Sequence, residues 1–116
     1  MNDYGIAVIG SGYIGGEHIR AIAAHDRARL QVICSTERGR DGATALQQSH
    51  GAARTTTAYD AVLSDSQVDV VYLCTPNSQH EEQAVAALEA GKHLFVEKPL
   101  AVTVDGCRRV VEAGRR

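Results

Sequence analysis

The sequence predicts an α/β domain built on a doubly wound parallel sheet of about five strands, with helices on both faces. Three observations carry that expectation. Short β-branched runs alternate with Ala-rich segments of helical period along the whole chain. The best of these runs, VDVVYLC at 68–74, is nearly continuous in apolar residues rather than alternating, as in a strand covered on both faces. A G-x-G-x-x-G stretch, Gly10-Ser11-Gly12-Tyr13-Ile14-Gly15, directly follows the first run and opens a helical one.

The elements follow in order. Strands are expected at Gly5 to Ile9, Leu30 to Cys34, Val68 to Cys74 and His93 to Val96, with a weak one near Arg54 to Thr57. A first helix covers about Tyr13 to Ala24, where Ile14, His18 and Ile22 recur four apart; His18 on that stripe reads as a packed, hydrogen-bonded side chain rather than a ligand. A second helix precedes the weak strand and a short one follows it. Ser78 with Glu81 forms a capping-box pattern, Ala84, Val85 and Leu88 supply an apolar stripe, and Gly91 stops that helix. Thr103 caps a last helix with Val104, Cys107 and Val111 on one face, Arg108, Arg109 and Glu112 toward water, and Gly114 at its close. Right-handed crossovers turn this order into a doubly wound sheet of the Rossmann type.

Composition bounds the function. A chain of 116 residues is one domain, and 44% hydrophobic residues suffice for a real core, which excludes a disordered tail. Twelve Lys and Arg against fourteen Asp and Glu give a net charge of -2, scattered along the chain, so nucleic acid is not the expected partner. The start is a poor signal peptide, and no apolar stretch reaches bilayer length, so no membrane partner is expected either. Cys34, Cys74 and Cys107 are odd in number and far apart, which argues against a disulfide framework or a metal site. They read as reduced, buried cysteines of a cytoplasmic protein.

In the glycine stretch, Gly10 allows a tight turn, Gly12 lets backbone approach a pyrophosphate, and Gly15 lets the helix lie close to the strand. Amide N–H groups at the helix start then face the phosphates of a dinucleotide. An NAD site places a carboxylate at the end of the second strand. Here that slot is Ser35, followed by Thr36, Glu37 and Arg38, which can donate hydrogen bonds and charge to a 2′-phosphate. NADP is therefore favoured over NAD, and Glu37 keeps NAD open as the alternative.

The fourth strand runs into Thr75-Pro76-Asn77-Ser78 and then His80, and the fifth into Glu97-Lys98-Pro99-Leu100, both at strand ends where open α/β sheets bind ligands. The only prolines, Pro76 and Pro99, lie at these exits. Lys98 can bind a substrate oxygen or take part in proton transfer; an ordinary charged turn residue is the plain alternative.

Together the stretch GSGYIG and the segment YLCTPNSQHEEQAVAALEAGKHLFVEKPLAVT resemble the amino-terminal domain of the Gfo/Idh/MocA oxidoreductases, over essentially the whole chain. The resemblance implies oxidation or reduction of a carbinol carbon with NAD(P), typically in a sugar, cyclitol or related polyol. It implies that Gly10, Gly12, Tyr13 and Ile14 hold the pyrophosphate, that Ser35, Thr36 and Arg38 surround the adenosine ribose, and that Cys74, Thr75, Pro76, Asn77 and His80 pass near the nicotinamide half. Glu97 and Lys98 correspond to the EKP motif, whose lysine lies between nicotinamide and substrate and is catalytic.

The family continues into a second α/β domain that carries the substrate pocket, and this sequence stops before it. The 116 residues are therefore expected to be the cofactor-binding part of a two-domain protein, able to bind dinucleotide but not to turn over. A non-catalytic dinucleotide-binding or interaction module is the alternative. With no following strand, His93 to Val96 is expected to form an exposed edge and to favour homo-oligomers.

Overall fold

A computed structural model describes residues 3–98 and 100–115; the expectation for Pro99 lies outside the described residues. The elements are β1 (Tyr4–Ile9), α1 (Tyr13–Ala23), β2 (Ala28–Cys34), α2 (Arg40–His50), β3 (Arg54–Thr56), α3 (Tyr59–Leu63), β4 (Val70–Leu73), α4 (His80–Glu89), β5 (His93–Val96) and α5 (Val104–Arg115), with a 3₁₀ turn at Asn77–Gln79 before α4. All pairings are parallel and the strand order is β3-β2-β1-β4-β5. The order reverses at β1. Connections β1–β2 and β2–β3 lay α1 and α2 on one face, while the later helices cover the other.

Alternation along β1 divides the core accordingly. Ile6 and Val8 pack with Ile19, Ile22, Leu30 and Ile33 beneath α1 and α2, whereas Ala7 and Ile9 join Val32, Val62, Val71, Leu73, Ala84 and Val110 on the opposite face. Burying each such aliphatic side chain contributes about 1.5–3 kcal/mol. The reversal leaves a gap at the carboxyl ends of β1, β2 and β4, and the site occupies it.

Several helix details differ from expectation. The capping box at Ser78 does not form: the segment winds first as the 3₁₀ turn, α4 starts at His80, and no side chain caps it. Pro76 starts that turn, and its carbonyl accepts the Gln79 N–H. In α1 the buried residues are Gly15, Ile19 and Ile22, while Ile14 is 46% exposed. The inner face of α5 is Gly106, Val110 and Ala113, whereas Val104 is 70% exposed. The physical reason is close packing through small residues. A Cβ on Gly106 would lie 2.4 Å from Glu81 Oε1 and 2.9 Å from Ala101 Cβ, so α5 approaches α4 with its glycine side. Gly114 does not end α5, which continues to Arg115.

Thr103 does cap α5, its Oγ1 accepting the Gly106 N–H at 2.9 Å, and Gly91 follows α4 at a positive φ of 80°. The cysteines are all free, but only Cys34 is buried, and Cys74 and Cys107 are half-buried. β5 pairs with β4 alone among the described residues, and its outer side chains His93 and Phe95 are exposed.

Candidate functional site

The loop between β1 and α1 is set by backbone contacts. Gly10 has φ 114°, and a Cβ there would stand 2.4 Å from the Cys74 carbonyl oxygen, so only glycine fits. A Cβ on Gly15 would stand 2.1 Å from the Gly10 carbonyl oxygen, so glycine lets α1 rise flush against the loop. Gly12 differs: a Cβ there would meet nothing within 4 Å. It occupies the N-cap of α1 with no side-chain capping bond, and the first turn carries no acidic residue. The first-turn N–H groups thus face an open hollow at the positive end of the helix dipole, which suits an anion.

The hollow is part of a cleft of about 810 Å³ that crosses the ends of β1, β2 and β4. Gly10, Gly12, Tyr13 and Ile14 form its floor, Ser35, Thr36 and Arg38 one end, and Cys74, Thr75 and Pro76 the other wall. At the β2 end, Ser35 is buried and its N–H bonds the Thr56 carbonyl at 2.9 Å, while Thr36 Oγ1 accepts the Gly39 N–H at 3.1 Å. Glu37 is not part of the cleft lining: it pairs with Arg40 at 2.7 Å and accepts the hydroxyl of Thr57, at the cleft's edge, at 3.2 Å. Arg38 lines the cleft and has no hydrogen bond or ion pair among the described residues.

The β4 wall is braced by two residues of the cleft lining, Tyr59 and Gln83, and by His80 behind it. Thr75 Oγ1 donates to Gln83 Oε1 at 2.6 Å, the Tyr59 hydroxyl donates to the Gln83 carbonyl at 2.7 Å, and His80 Nε2 lies 2.8 Å from the Thr75 carbonyl. His80 is 1% exposed, so it supports the wall and does not line the cleft. Burial pushes the Cys34 thiol up to about 11, against a partly offsetting Arg54 charge, and burial with the Glu97 charge pushes Cys74 up to about 11. Burial, with Cys34 beside it, also holds the Tyr59 phenol well above its ordinary value. All three are neutral near pH 7, so the walls add no negative charge and neither thiol is an activated nucleophile.

Asn77, Glu97 and Lys98 lie outside the cleft lining, past the ends of β4 and β5. Lys98 is exposed, and Glu97 Oε1 contacts His18 Nε2 at 2.5 Å. His18 is therefore packed and hydrogen-bonded as its sequence context indicated, with ring-edge contacts to Tyr72 and Phe95. Sequence reasoning missed Thr57, Tyr59, Gln79 and Gln83, all of which line the cleft. The carboxyl end of the weak β3 was the available signal for Thr57 and Tyr59. Among the described residues no group of His, Cys, Asp and Glu could hold a metal ion, and no helix is long and apolar enough to cross a membrane.

A five-stranded parallel sheet in this order, with a glycine loop at its reversal, defines a nucleotide-binding α/β domain of the Rossmann class. The chain belongs to the Gfo/Idh/MocA family, whose model, described as "Oxidoreductase family, NAD-binding Rossmann fold", matches residues 4–116. It is 41% identical over 109 residues to an inositol 2-dehydrogenase of Paracoccus denitrificans, covering 93% of this chain and 32% of that protein. Among solved structures, GenD2 from gentamicin A biosynthesis in complex with NAD superposes with a TM-score of 0.92 at 33% identity, covering 99% of this chain and 32% of that one. KijD10, a 3-ketoreductase from Actinomadura kijaniata in complex with NADP, gives 0.89 at 30% identity, with 98% and 36% covered. The chain thus spans about a third of the length of the curated relatives it matches.

Proposed function

We propose that the chain binds a nicotinamide dinucleotide along the cleft, NADP in preference to NAD, as the cofactor unit of a two-domain oxidoreductase. The observation that carries this reading is the contrast within the glycine loop, closed by backbone at Gly10 and Gly15 and open at Gly12. The cleft lining supports one group of residues for each part of the ligand. First-turn amides with Gly10, Gly12, Tyr13 and Ile14 hold the pyrophosphate; Ser35, Thr36 and Arg38 hold the adenosine ribose; Cys74, Thr75, Pro76 and Asn77, backed by His80, border the nicotinamide half.

NADP is preferred because the two charges near the ribose have separate fates. Glu37 is engaged by Arg40 and by the Thr57 hydroxyl at the cleft's edge and is not itself part of the lining, which leaves Arg38 as the charge on the lining to meet a 2′-phosphate. Calorimetric titration with NADPH and NADH tests the preference, and tighter NADH binding overturns it.

Bound nicotinamide supplies or accepts a hydride. Lys98 is the catalytic residue: its Nζ binds the reacting oxygen and holds or moves the proton there. Glu97, just before it, shapes the turn. Inositol 2-dehydrogenase and 3-ketoreductase relatives support a CH–OH carbon of a sugar, cyclitol or similar polyol as the substrate. A levoglucosan dehydrogenase structure with NADH and L-sorbose, 30% identical with a TM-score of 0.89, supports the same class. The substrate pocket belongs to the second domain, so the 116 residues alone bind cofactor without turnover. Lys98→Met is expected to leave dinucleotide affinity within about twofold and to abolish hydride transfer in the two-domain enzyme; retained turnover refutes the role. Three free thiols fit a reducing, cytoplasmic compartment.

A further inference from the structure

We propose that His18 is a positioning residue: its imidazole holds the Glu97 carboxylate and thereby fixes Lys98 relative to the glycine loop. The inference rests on the reading of Lys98 given above. His18 and Glu97 are 79 residues apart in sequence, yet Nε2 and Oε1 lie 2.5 Å apart. The side chains are only 24% and 35% exposed, which shields the contact more than an ordinary surface pair. The imidazole is also fixed in orientation. Its edge meets the Phe95 ring at 5.1 Å and the Tyr72 ring at 5.5 Å, and those two rings stack on each other at 4.7 Å.

Glu97 is the first residue past β5, and its N–H makes the last bond of that strand, to the Leu73 carbonyl at 3.2 Å. Beyond it the described residues form no helix or strand until Val104. Among the described residues Lys98 itself makes no hydrogen bond or ion pair, so its place is set by its neighbours. On the far side Ala101 is buried and Leu100 packs on the core; on the near side the polar tether is Glu97 to His18.

The tether joins two parts of the site. His18 lies in the second turn of α1, whose N-cap is Gly12, so a rigid spacer of roughly 8 Å separates the phosphate hollow from the Glu97 contact. The contact also engages one Glu97 oxygen with α1, so that oxygen is not free to draw in the neighbouring Lys98 ammonium. The pair thus sets where the lysine stands and leaves its charge available to a substrate oxygen.

The test uses the 116-residue chain and two readouts. The first is amide hydrogen exchange at position 97, bonded to Leu73, with Cys74 as control, its N–H bonded to the Ile9 carbonyl at 2.8 Å. His18→Leu and Glu97→Ala are each expected to accelerate exchange at position 97 about tenfold while Cys74 is unchanged, and the double variant is no faster than either. His18→Gln, which keeps an N–H at similar reach, restores it to within about twofold. The second readout is affinity for NADPH and for its adenosine half, 2′,5′-ADP. His18→Leu is expected to leave both within about twofold, as Lys98→Met does, because the tether acts on Lys98 and not on the cleft. Faster exchange at Cys74 as well, additive single variants, or equal losses for both ligands would mean a general packing role and overturn the proposal. If the unmodified chain binds neither ligand, the cofactor reading fails, and exchange at position 97 still decides the tether. Should His18→Leu not fold, His18→Gln and Glu97→Ala carry the same comparison.

Discussion

Replacing Gly12 and Gly15 separately by alanine should divide ligand binding from folding. At Gly12 the backbone has φ -79° and ψ -161°, which alanine adopts without strain, and its methyl meets nothing within 4 Å. Gly12→Ala should therefore leave stability within about 1 kcal/mol, the unfolded-state gain of about 0.4–1 kcal/mol being offset by alanine's poorer fit at the N-cap. The same methyl stands in front of the α1 amides, where a phosphate must approach, so the dissociation constant for dinucleotide should rise at least about tenfold, or about 1.4 kcal/mol. At Gly15 the methyl would lie 2.1 Å from the Gly10 carbonyl oxygen, and real Cβ contacts need at least 3.0 Å. The helix and loop must separate by roughly 1 Å, an overpacking that costs about 1–3 kcal/mol and lowers Tm by about 5–15 °C. Circular-dichroism melts and calorimetry with NADPH and NADH measure both effects. Wild-type affinity in Gly12→Ala would refute the phosphate site, and a Tm loss as large as that of Gly15→Ala would refute the open hollow.

Arg38→Ala should weaken NADPH about tenfold and leave NADH within about twofold, and Ser35→Asp should reverse the preference; equal effects on both cofactors in calorimetry would remove Arg38 from the ribose. Cys34 and Cys74 have folded values of about 11 against an ordinary 9.0, so the folded state keeps two protons that the unfolded chain releases. Their contribution to stability is complete below about pH 9 and declines toward pH 11; melts across that range should show Tm falling, less so in Cys34→Ala, and an unaltered slope in that variant would count against it. Asp65 accepts bonds from Arg54 at 3.0 Å and the Gln67 N–H at 2.8 Å. Burial raises its carboxyl, but those bonds, one from Gln31 and the Arg54 charge outweigh burial and hold it below the usual range. Asp65→Ala should cost about 2 kcal/mol in urea unfolding at pH 7, and the deficit should vanish in acid as the wild-type carboxyl protonates; a deficit independent of pH would rule out the ionised pair.

The strands and the glycine loop were legible because their signals are local. VDVVYLC and the run before Gly10 are apolar enough that no other element fits them, although β4 itself is only Val70–Leu73. His93 to Val96 was legible to the residue. The helix faces were harder, because α1 buries Gly15 and α5 buries Gly106 and Ala113, small residues that carry no apolar signal. Val104 and Val111 therefore looked like the core face and point outward, while Gly106 packs. At the site, Ser35, Thr36 and Arg38 were found from strand-end position, but the engagement of Glu37 by Arg40 and by Thr57, the latter 20 residues away in sequence, was not. Gln83 escaped notice because its role is to brace Thr75 and Tyr59 across α4 and α3, a contact without a sequence period.

The obstacles at Gly10 and Gly15 are both backbone carbonyl oxygens, those of Cys74 and Gly10. A second-site substitution changes side chains and leaves carbonyls where they are, so neither glycine has a side-chain suppressor, and a genetic screen for recovered folding should return reversion at the same codon. Gly12 has no such obstacle. A lineage released from the need for its ligand would keep Gly10 and Gly15 for the fold and drift at Gly12, which makes that one position a record of whether the site is still in use.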